Sequence, residues 1–280
     1  MSQNSQYKTS PDTTRSLSQN VWKYGEGCPS NDELQNGPRT GIMIYDDFTN
    51  GGVVTSPSTE AALVGIPYSG FGSSGGTITH ADATGGALVL TEATDNEGNA
   101  IKAESHPFKI SSLLGDLYFE ARVKVSLVTD DLINMFVGLM DTTALSVNVP
   151  LSSANPPVLT GCNFVGFFLK EADAGAITSS YIADGVTPVT VQTGLATLVA
   201  DTYIKLGMVF QRNYRGLGSA RIAWFVNGTE QSTTKIVPND TGTDFPADVR
   251  LSPVFGQHLG GSQSTLSTID WWKCVQLDVT

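Results

Sequence analysis

The chain has 280 residues, of which 40% are apolar and only 15% charged, and its formal net charge is −11. That length suits one large all-β domain, since such domains commonly run to about 200–250 residues. Residues 1–40 hold four basic and four acidic side chains, so the other twelve basic and twenty-three acidic side chains carry the whole charge; an acidic domain with no basic stripe excludes nucleic acid as a partner.

At the N-terminus, Met1-Ser-Gln-Asn-Ser-Gln-Tyr-Lys-Thr-Ser10 has no apolar stretch of the kind that makes a secretory signal. The expectation is synthesis in the cytoplasm and, for any outside destination, a route other than secretion. Residues 1–40 contain only eight apolar side chains, and Pro11, Pro29 and Pro38 break any helix. So little apolar surface does not offset the entropy of ordering. The pattern predicts a flexible or extended arm over 1–40 ahead of a folded domain over 41–280. Trp22 and Tyr24 stand out within the arm. They dock on the arm's own domain, or they order the arm against another subunit with Trp22 as anchor; the sequence leaves both open.

From Gly41 onward the pattern is short alternating strands separated by turn signals. Strands are predicted over 42–45, 87–90 and 100–103, with a Gly/Ser/Pro-rich stretch up to Gly76 between the first two. Over 117–125, Leu117, Phe119, Ala121, Val123 and Val125 face one way, and Tyr118, Glu120, Arg122 and Lys124 the other. Further strands fall over 136–140, 164–169, 177–182, 189–192, 203–211, 221–226, 249–255 and 269–277. Asn227-Gly228 accepts positive φ at both positions and predicts a type I′ hairpin into 229–235. The only helix candidates are 58–64 and 194–200. Segment 142–161, with Pro150, Pro156 and Pro157, is long for a connection inside a compact domain, and connections of that length are usually functional or disordered. Many short strands with almost no helix predict an all-β, two-sheet antiparallel sandwich of jelly-roll type. No apolar run approaches the roughly 20 residues that span a bilayer, so no membrane partner is expected.

Several motifs match chemistry on paper and fail on context. Gly70-Phe-Gly-Ser-Ser-Gly75 fits a dinucleotide-binding loop, and Gly72-Ser-Ser-Gly-Gly76 a nucleophile elbow at Ser74. Both need a strand-to-helix turn, and no helix follows. Asp95 and Glu97, with the carbonyls around Gly98, suggest weak calcium ligation or simply a solvated turn, and Asp46-Asp47 has the same ambiguity. His80, His106 and His258 are isolated, and Cys28, Cys162 and Cys274 form no paired motif, so neither a zinc site nor a disulfide framework is expected. Glycoside hydrolysis needs two carboxylates about 5–9.5 Å apart. On a strand such acids stand two residues apart, yet Asp95/Glu97 sits in a turn and Glu171/Asp173 at a strand end. Glu120 reads as a surface acid paired with Arg122. No catalytic residue, cofactor or metal is expected. Tyr181, Tyr214 and Trp272 are the aromatics that would stack on a sugar ring if exposed, although tryptophans in strands usually belong to the core.

Four pieces in order carry a family likeness: Tyr45-Asp-Asp-Phe48, Gly86-Ala-Leu-Val-Leu90, Leu117-Tyr-Phe-Glu-Ala-Arg-Val-Lys124 and Ile269-Asp-Trp-Trp-Lys-Cys-Val275. Together they resemble the concanavalin A-like lectin/glucanase superfamily, including laminin-G-like domains, over roughly Gly41 to Thr280. In the glucanases an E-x-D-x-x-E strand follows shortly after the E-A-R-x-K strand. Its counterpart here, Asn163-Phe-Val-Gly-Phe-Phe-Leu169, has no acid. The resemblance therefore implies the fold without hydrolysis. The Y-D-D-F opening, the D-W-W-K close and the polar arm also resemble structural proteins of tailed-phage virions. That likeness implies a capsid decoration or cement protein made in the host cytoplasm and placed on the capsid surface. Its implied partner is the major capsid protein, with self-association as a trimer or local threefold cluster. Trp22 and Tyr24 of the arm and Pro150, Pro156 and Pro157 of the loop would be the contacts. The alternative is a non-catalytic module that binds a host-surface glycan.

Overall fold

The computed structural model describes residues 15–25, 27–30, 34, 41–49, 53–54, 58–63, 67–73, 76–81, 86–111, 114–129, 132–152, 158–212, 220–236 and 244–278. A single turn of α-helix, α1 (Gln19–Trp22), precedes the strands. In chain order these are β1 (Gly41–Asp46), β2 (Val53–Val54), β3 (Ala61–Ala62), β4 (Tyr68–Gly72), β5 (Thr77–His80), β6 (Leu88–Glu92), β7 (Gly98–Ala103), β8 (Phe108–Lys109), β9 (Leu117–Val125), β10 (Ile133–Met140), β11 (Phe164–Leu169), β12 (Ala176–Ile182), β13 (Val189–Thr197), β14 (Ile204–Gln211), β15 (Ala220–Val226), β16 (Thr229–Ile236), β17 (Arg250–Leu259) and β18 (Thr265–Leu277).

They form two nine-stranded sheets. The first runs β16-β15-β14-β9-β18-β6-β5-β2, with β1 also on β18; the second runs β13-β12-β11-β10-β17-β7-β4-β3, with β8 on β17. The thirteen-residue β18 is the spine of the first sheet. One of its edges pairs with β9, and the other takes β6 on its first half and β1 on its second. The predicted alternation of β9 holds: Leu117, Phe119, Ala121, Val123 and Val125 enter the core between the sheets. Met135, Val137 and Leu139 of β10 and Val165 and Phe167 of β11 meet them from the second sheet. Trp224 crosses the gap to stand edge-on to Phe167 at 5.4 Å. Apolar faces of period two closing on each other in this way are what make a sandwich the stable solution.

Both helix candidates are corrected. Within 58–64 the chain forms β3, and most of 194–200 continues β13 to Thr197. Neither stretch has an apolar stripe that a helix would bury, whereas a sheet edge supplies pairing at once. The turn at Asn227-Gly228 forms as expected, with φ of 47° and 74°.

Of the two readings left open for the arm, residues 15–25 follow the first and are packed on their own domain. Val21 and Trp22 are fully buried there, and Leu34 is nearly so. Apolar content averaged over forty residues hides one dense patch, Leu17 to Tyr24, that lands on an apolar sheet face.

Candidate functional site

Each sheet has an outer face, and the chain covers a patch of both. On the first sheet, Tyr118, Val209, Ala223, Phe225 and Val275 make an apolar patch that receives Val21 and Trp22. Gly207 leaves room for this approach, since a Cβ there would stand 2.9 Å from a Val21 methyl. The Trp22 ring stacks on Tyr118 at 6.1 Å, and Lys273 Nζ lies 4.6 Å from its centroid. Beneath it, Glu120 is fully buried and accepts hydrogen bonds from Trp22 Nε1 at 2.7 Å and Ser18 N at 3.0 Å. Lys205 Nζ donates to Ser16 O at 3.0 Å. Burial pushes the Glu120 carboxyl up and the Lys273 ammonium down from their ordinary values. At the edge of the patch, Asp270 receives Arg15 Nε at 2.8 Å and Arg122 Nη1 at 2.6 Å. The expected Glu120–Arg122 pairing is therefore corrected. A bulge between Ile269 and Trp271 turns Asp270 toward Arg122, and the segment takes Glu120 for itself. Trp22 is enclosed by its own domain. Tyr24 is half-buried, edge-on to Phe225 at 5.1 Å and donating to Glu230 at 3.0 Å.

On the second sheet, β11 turns Phe164 and Phe168 outward beside Phe136 and Met140 of β10. Leu145, Leu151 and Leu159 of the segment 142–161 lie over them. A partly buried ion pair pins this cover: Lys102 Nζ stands 3.2 Å from Glu60 and donates to Thr143 O at 2.6 Å. Glu60 also accepts from Leu145 N and the Ser69 hydroxyl. Pro150 is buried, and its carbonyl accepts from Thr160 N at 2.8 Å. Pro156, Pro157 and Tyr214 lie outside the described residues. Two acids flank this face, each held by local bonds. Asp141 accepts from Asn163 Nδ2 at 2.6 Å and Thr143 N at 3.0 Å. Glu171 accepts from Asn134 Nδ2 at 2.7 Å. Asp141 and Asn134 bracket β10, so at about 3.3 Å per residue these acids stand on the order of 20 Å apart. That is too far for a pair that works across one glycosidic bond.

At the rim beside this covered face, residues 158–161 and 184–188 with Asp244 line an open cleft of about 760 Å³. Asp184 and Asp244 are exposed, and Val158, Val186 and Pro188 supply apolar surface. The backbone is fixed by Asp184 N on Asn163 Oδ1 at 3.1 Å and Ala183 N on Asp244 O at 2.9 Å. Sequence reading marked the long loop but missed its partner turn; Asp184-Gly185, with Gly185 at φ 79°, was the available signal.

The remaining candidates resolve simply. Trp272 is fully buried and Tyr181 packs edge-on to Phe245 at 5.1 Å. Asp95 and Asn96 form an exposed turn. The stretch after Gly70-Phe-Gly72 leads into β5 rather than a helix. Burial pushes the thiols of Cys162 and Cys274 up, which keeps them protonated and unreactive. Among the described residues no group of three His, Cys, Asp or Glu side chains gathers to hold a metal, and no helix is long and apolar enough to cross a membrane.

The motifs that carried the family likeness meet in space. Asp46 is in register with Trp272, and Phe48, Tyr68 and Trp272 pack at 5.3 to 5.7 Å. Tyr68 donates to Asp46, and Arg15 Nη2 donates to Asp47 O and Gly86 O. The opening and closing motifs are thus one structural seam.

Two nine-stranded antiparallel sheets closed by that seam define a concanavalin A-like jelly-roll sandwich. Solved structures agree. The chain is similar to a protein of unknown function from Shewanella oneidensis MR-1 (12% identity, 85% of this chain and 87% of that one, TM-score 0.51). It is similar to peanut lectin (14%, 86% and 99%, 0.51) and to an endo-1,3-β-glucanase from Streptomyces sioyaensis (11%, 86% and 97%, 0.50). At these identities the likeness is one of fold. No protein-family model and no curated protein matches the sequence.

Proposed function

We propose that this chain is a non-catalytic structural sandwich of a tailed-phage virion, a decoration protein seated on the outer surface of the major capsid shell. The observation that carries the non-catalytic part is the apolar cover on β11. Phe164 and Phe168 stand where an acid-bearing strand would present its carboxylates, and Leu145, Leu151 and Leu159 seal them from substrate. The virion part is supported by the likeness of Tyr45-Asp-Asp-Phe48 and Asp270-Trp-Trp-Lys273 to phage structural proteins. A protein that binds an assembled shell and not its opened form stabilises the shell by mass action. Such a protein is made in the host cytoplasm and reaches its place by assembly, and clusters at local threefold positions suit it. Mass spectrometry of purified particles tests this directly: absence of the chain from virions ends the reading. A panel of β-glucans tests the other half, and turnover above background would refute it.

A specific observation favours a second reading, a lectin-like module for a host-surface glycan. The rim cleft combines two exposed carboxylates, which accept from sugar hydroxyls, with Val158, Val186 and Pro188 to receive C–H faces. A glycan array with a paired Asp184→Asn, Asp244→Asn variant decides it. Binding that the variant weakens at least tenfold supports the lectin reading, and an empty array ends it.

A further inference from the structure

One end of the sandwich interior holds a group of oxygens that neither core packing nor the faces above explain. Glu92 alternates inward from β6 and is 3% exposed. Its Oε1 accepts from Ala93 N and Thr94 N, whereas Oε2 is buried without a partner. Among the described residues no basic side chain forms an ion pair with it. From the opposite sheet come Asn99 and Gln257, register partners on β7 and β17. Asn99 Nδ2 donates to Thr91 O at 2.8 Å and Thr77 O at 3.1 Å, and Gln257 Nε2 donates to Leu90 O at 3.2 Å. Those carbonyls fix the orientation of both amides, because a flipped amide would set oxygen against oxygen. Asn99 Oδ1 and Gln257 Oε1 are thereby left buried and unpartnered. Thr265 and Ser267 of β18, in register with Glu92 and Leu90, add two fully buried hydroxyl oxygens without partners. Gly76 closes the group: a Cβ there would stand 2.3 Å from Glu92 Oε2 and 3.1 Å from Asn99 Nδ2. This gives the end of the glycine-rich stretch a role that neither rejected motif supplied.

We propose that Glu92, Asn99, Gln257, Thr265 and Ser267 form an interior site for a monovalent alkali cation that ties the two sheets together. The donor set is all oxygen, the preference of hard cations. It carries one negative charge, which a monovalent ion neutralises, whereas a divalent ion would leave a net charge in the dry interior.

The test is thermal unfolding of the full chain in sodium, potassium and choline chloride at equal ionic strength. One or both alkali salts should raise Tm above choline, by about 2–3 °C per tenfold rise in cation beyond its dissociation constant. Glu92→Gln should abolish the difference. Crystals grown with rubidium supply a readout that needs no variant, as an anomalous peak beside Glu92 Oε2. Either the salt effect lost in E92Q or the peak supports the site. With no peak, a salt effect that persists in E92Q or equal melting in all three salts overturns it.

Discussion

Replacing Trp22 by phenylalanine isolates one bond in the packing of the N-terminal segment. The aromatic ring stays between Tyr118 and Lys273, but the donor to Glu120 Oε2 at 2.7 Å is gone. A buried group hydrogen-bonded to a charged partner contributes about 1.5–3 kcal/mol. Glu120 keeps only Ser18 N among the two donors at that oxygen, and its Oε1 is already unpartnered. The expected loss for Trp22→Phe is therefore about 2 kcal/mol. Trp22→Ala adds a cavity, and a buried tryptophan truncated to alanine costs about 3–5 kcal/mol. The alanine loss has a ceiling, however, because the segment can leave the sheet as a unit while the sandwich stays folded. Urea unfolding followed by circular dichroism measures the global term. Tryptic cleavage after Lys23 measures the local one, since cutting there requires the segment to open. When opening is fast relative to cutting, cleavage tracks the open population, so 2 kcal/mol appears as a rate increase of more than about tenfold. W22F with an unchanged urea midpoint and unchanged cleavage at Lys23 would refute the role assigned to the Trp22–Glu120 bond.

Three further outcomes follow from the same packing. Lys102→Met should destabilise by about 1.5–3 kcal/mol by removing the partner of Glu60 and the donor to Thr143 O, and Glu60→Leu added to it should recover part of the loss; a double variant no better than the single one in urea titration would contradict the pinning of segment 142–161. Gly86 sits at φ 76°, where a Cβ would stand 2.3 Å from Phe48 O, so Gly86→Ala should cost more than about 1 kcal/mol in thermal unfolding; an unchanged Tm would discount the seam. Deleting residues 1–14 leaves every described contact in place, whereas deleting 1–40 uncovers Tyr118, Val209, Phe225 and Val275; only the longer deletion should lose soluble yield, and equal yields would argue that the segment is dispensable.

The sandwich was legible because its signal is local and repeated. Leu117 to Val125 alternates without a break, and β10, β11, β14 and β15 are apolar runs bounded by turns, so strand type and core face follow from period two alone. The site was far less legible. The outward side of β9, Tyr118 and Glu120 in particular, has the polarity of a solvent face and is buried all the same. Its cover comes from about a hundred residues upstream, and no window of sequence relates Trp22 to Glu120. Lys102 and Glu60 are likewise joined only through the pairing of β3 with β4 and of β4 with β7, and Asp184 meets residues 158–161 only through the pairing of β11 with β12. Patterns of alternation say which side a residue takes, but not whether another part of the chain closes over that side.

The two covers differ in chemistry, and pH should separate them. Beneath the segment 142–161, His258 is 4% exposed against Phe71, Phe136, Val147, Val149 and Leu151, with the Asn96 backbone and the Glu97 and Asp95 carboxylates on its other side. Burial lowers its pKa from the ordinary histidine value, so the folded chain resists a proton that the unfolded chain accepts. A lowered folded pKa contributes stability that is complete above the unfolded value of about 6.5 and is lost as pH falls through that value toward the folded one. His106 is shifted the same way by burial and adds to the slope. Lys273, under the N-terminal cover, is also lowered by burial, whereas Glu120 beside it is raised, so the Glu120 linkage runs opposite to that of His258. Mild acid should therefore loosen the apolar cover of the second sheet before it disturbs the segment on the first. Urea midpoints between pH 7.5 and 5.5 should fall less steeply in His258→Leu than in the wild-type chain. Identical slopes for the two proteins would mean that His258 is protonated as easily in the folded chain as in the unfolded one, and that the face it lines is open to water.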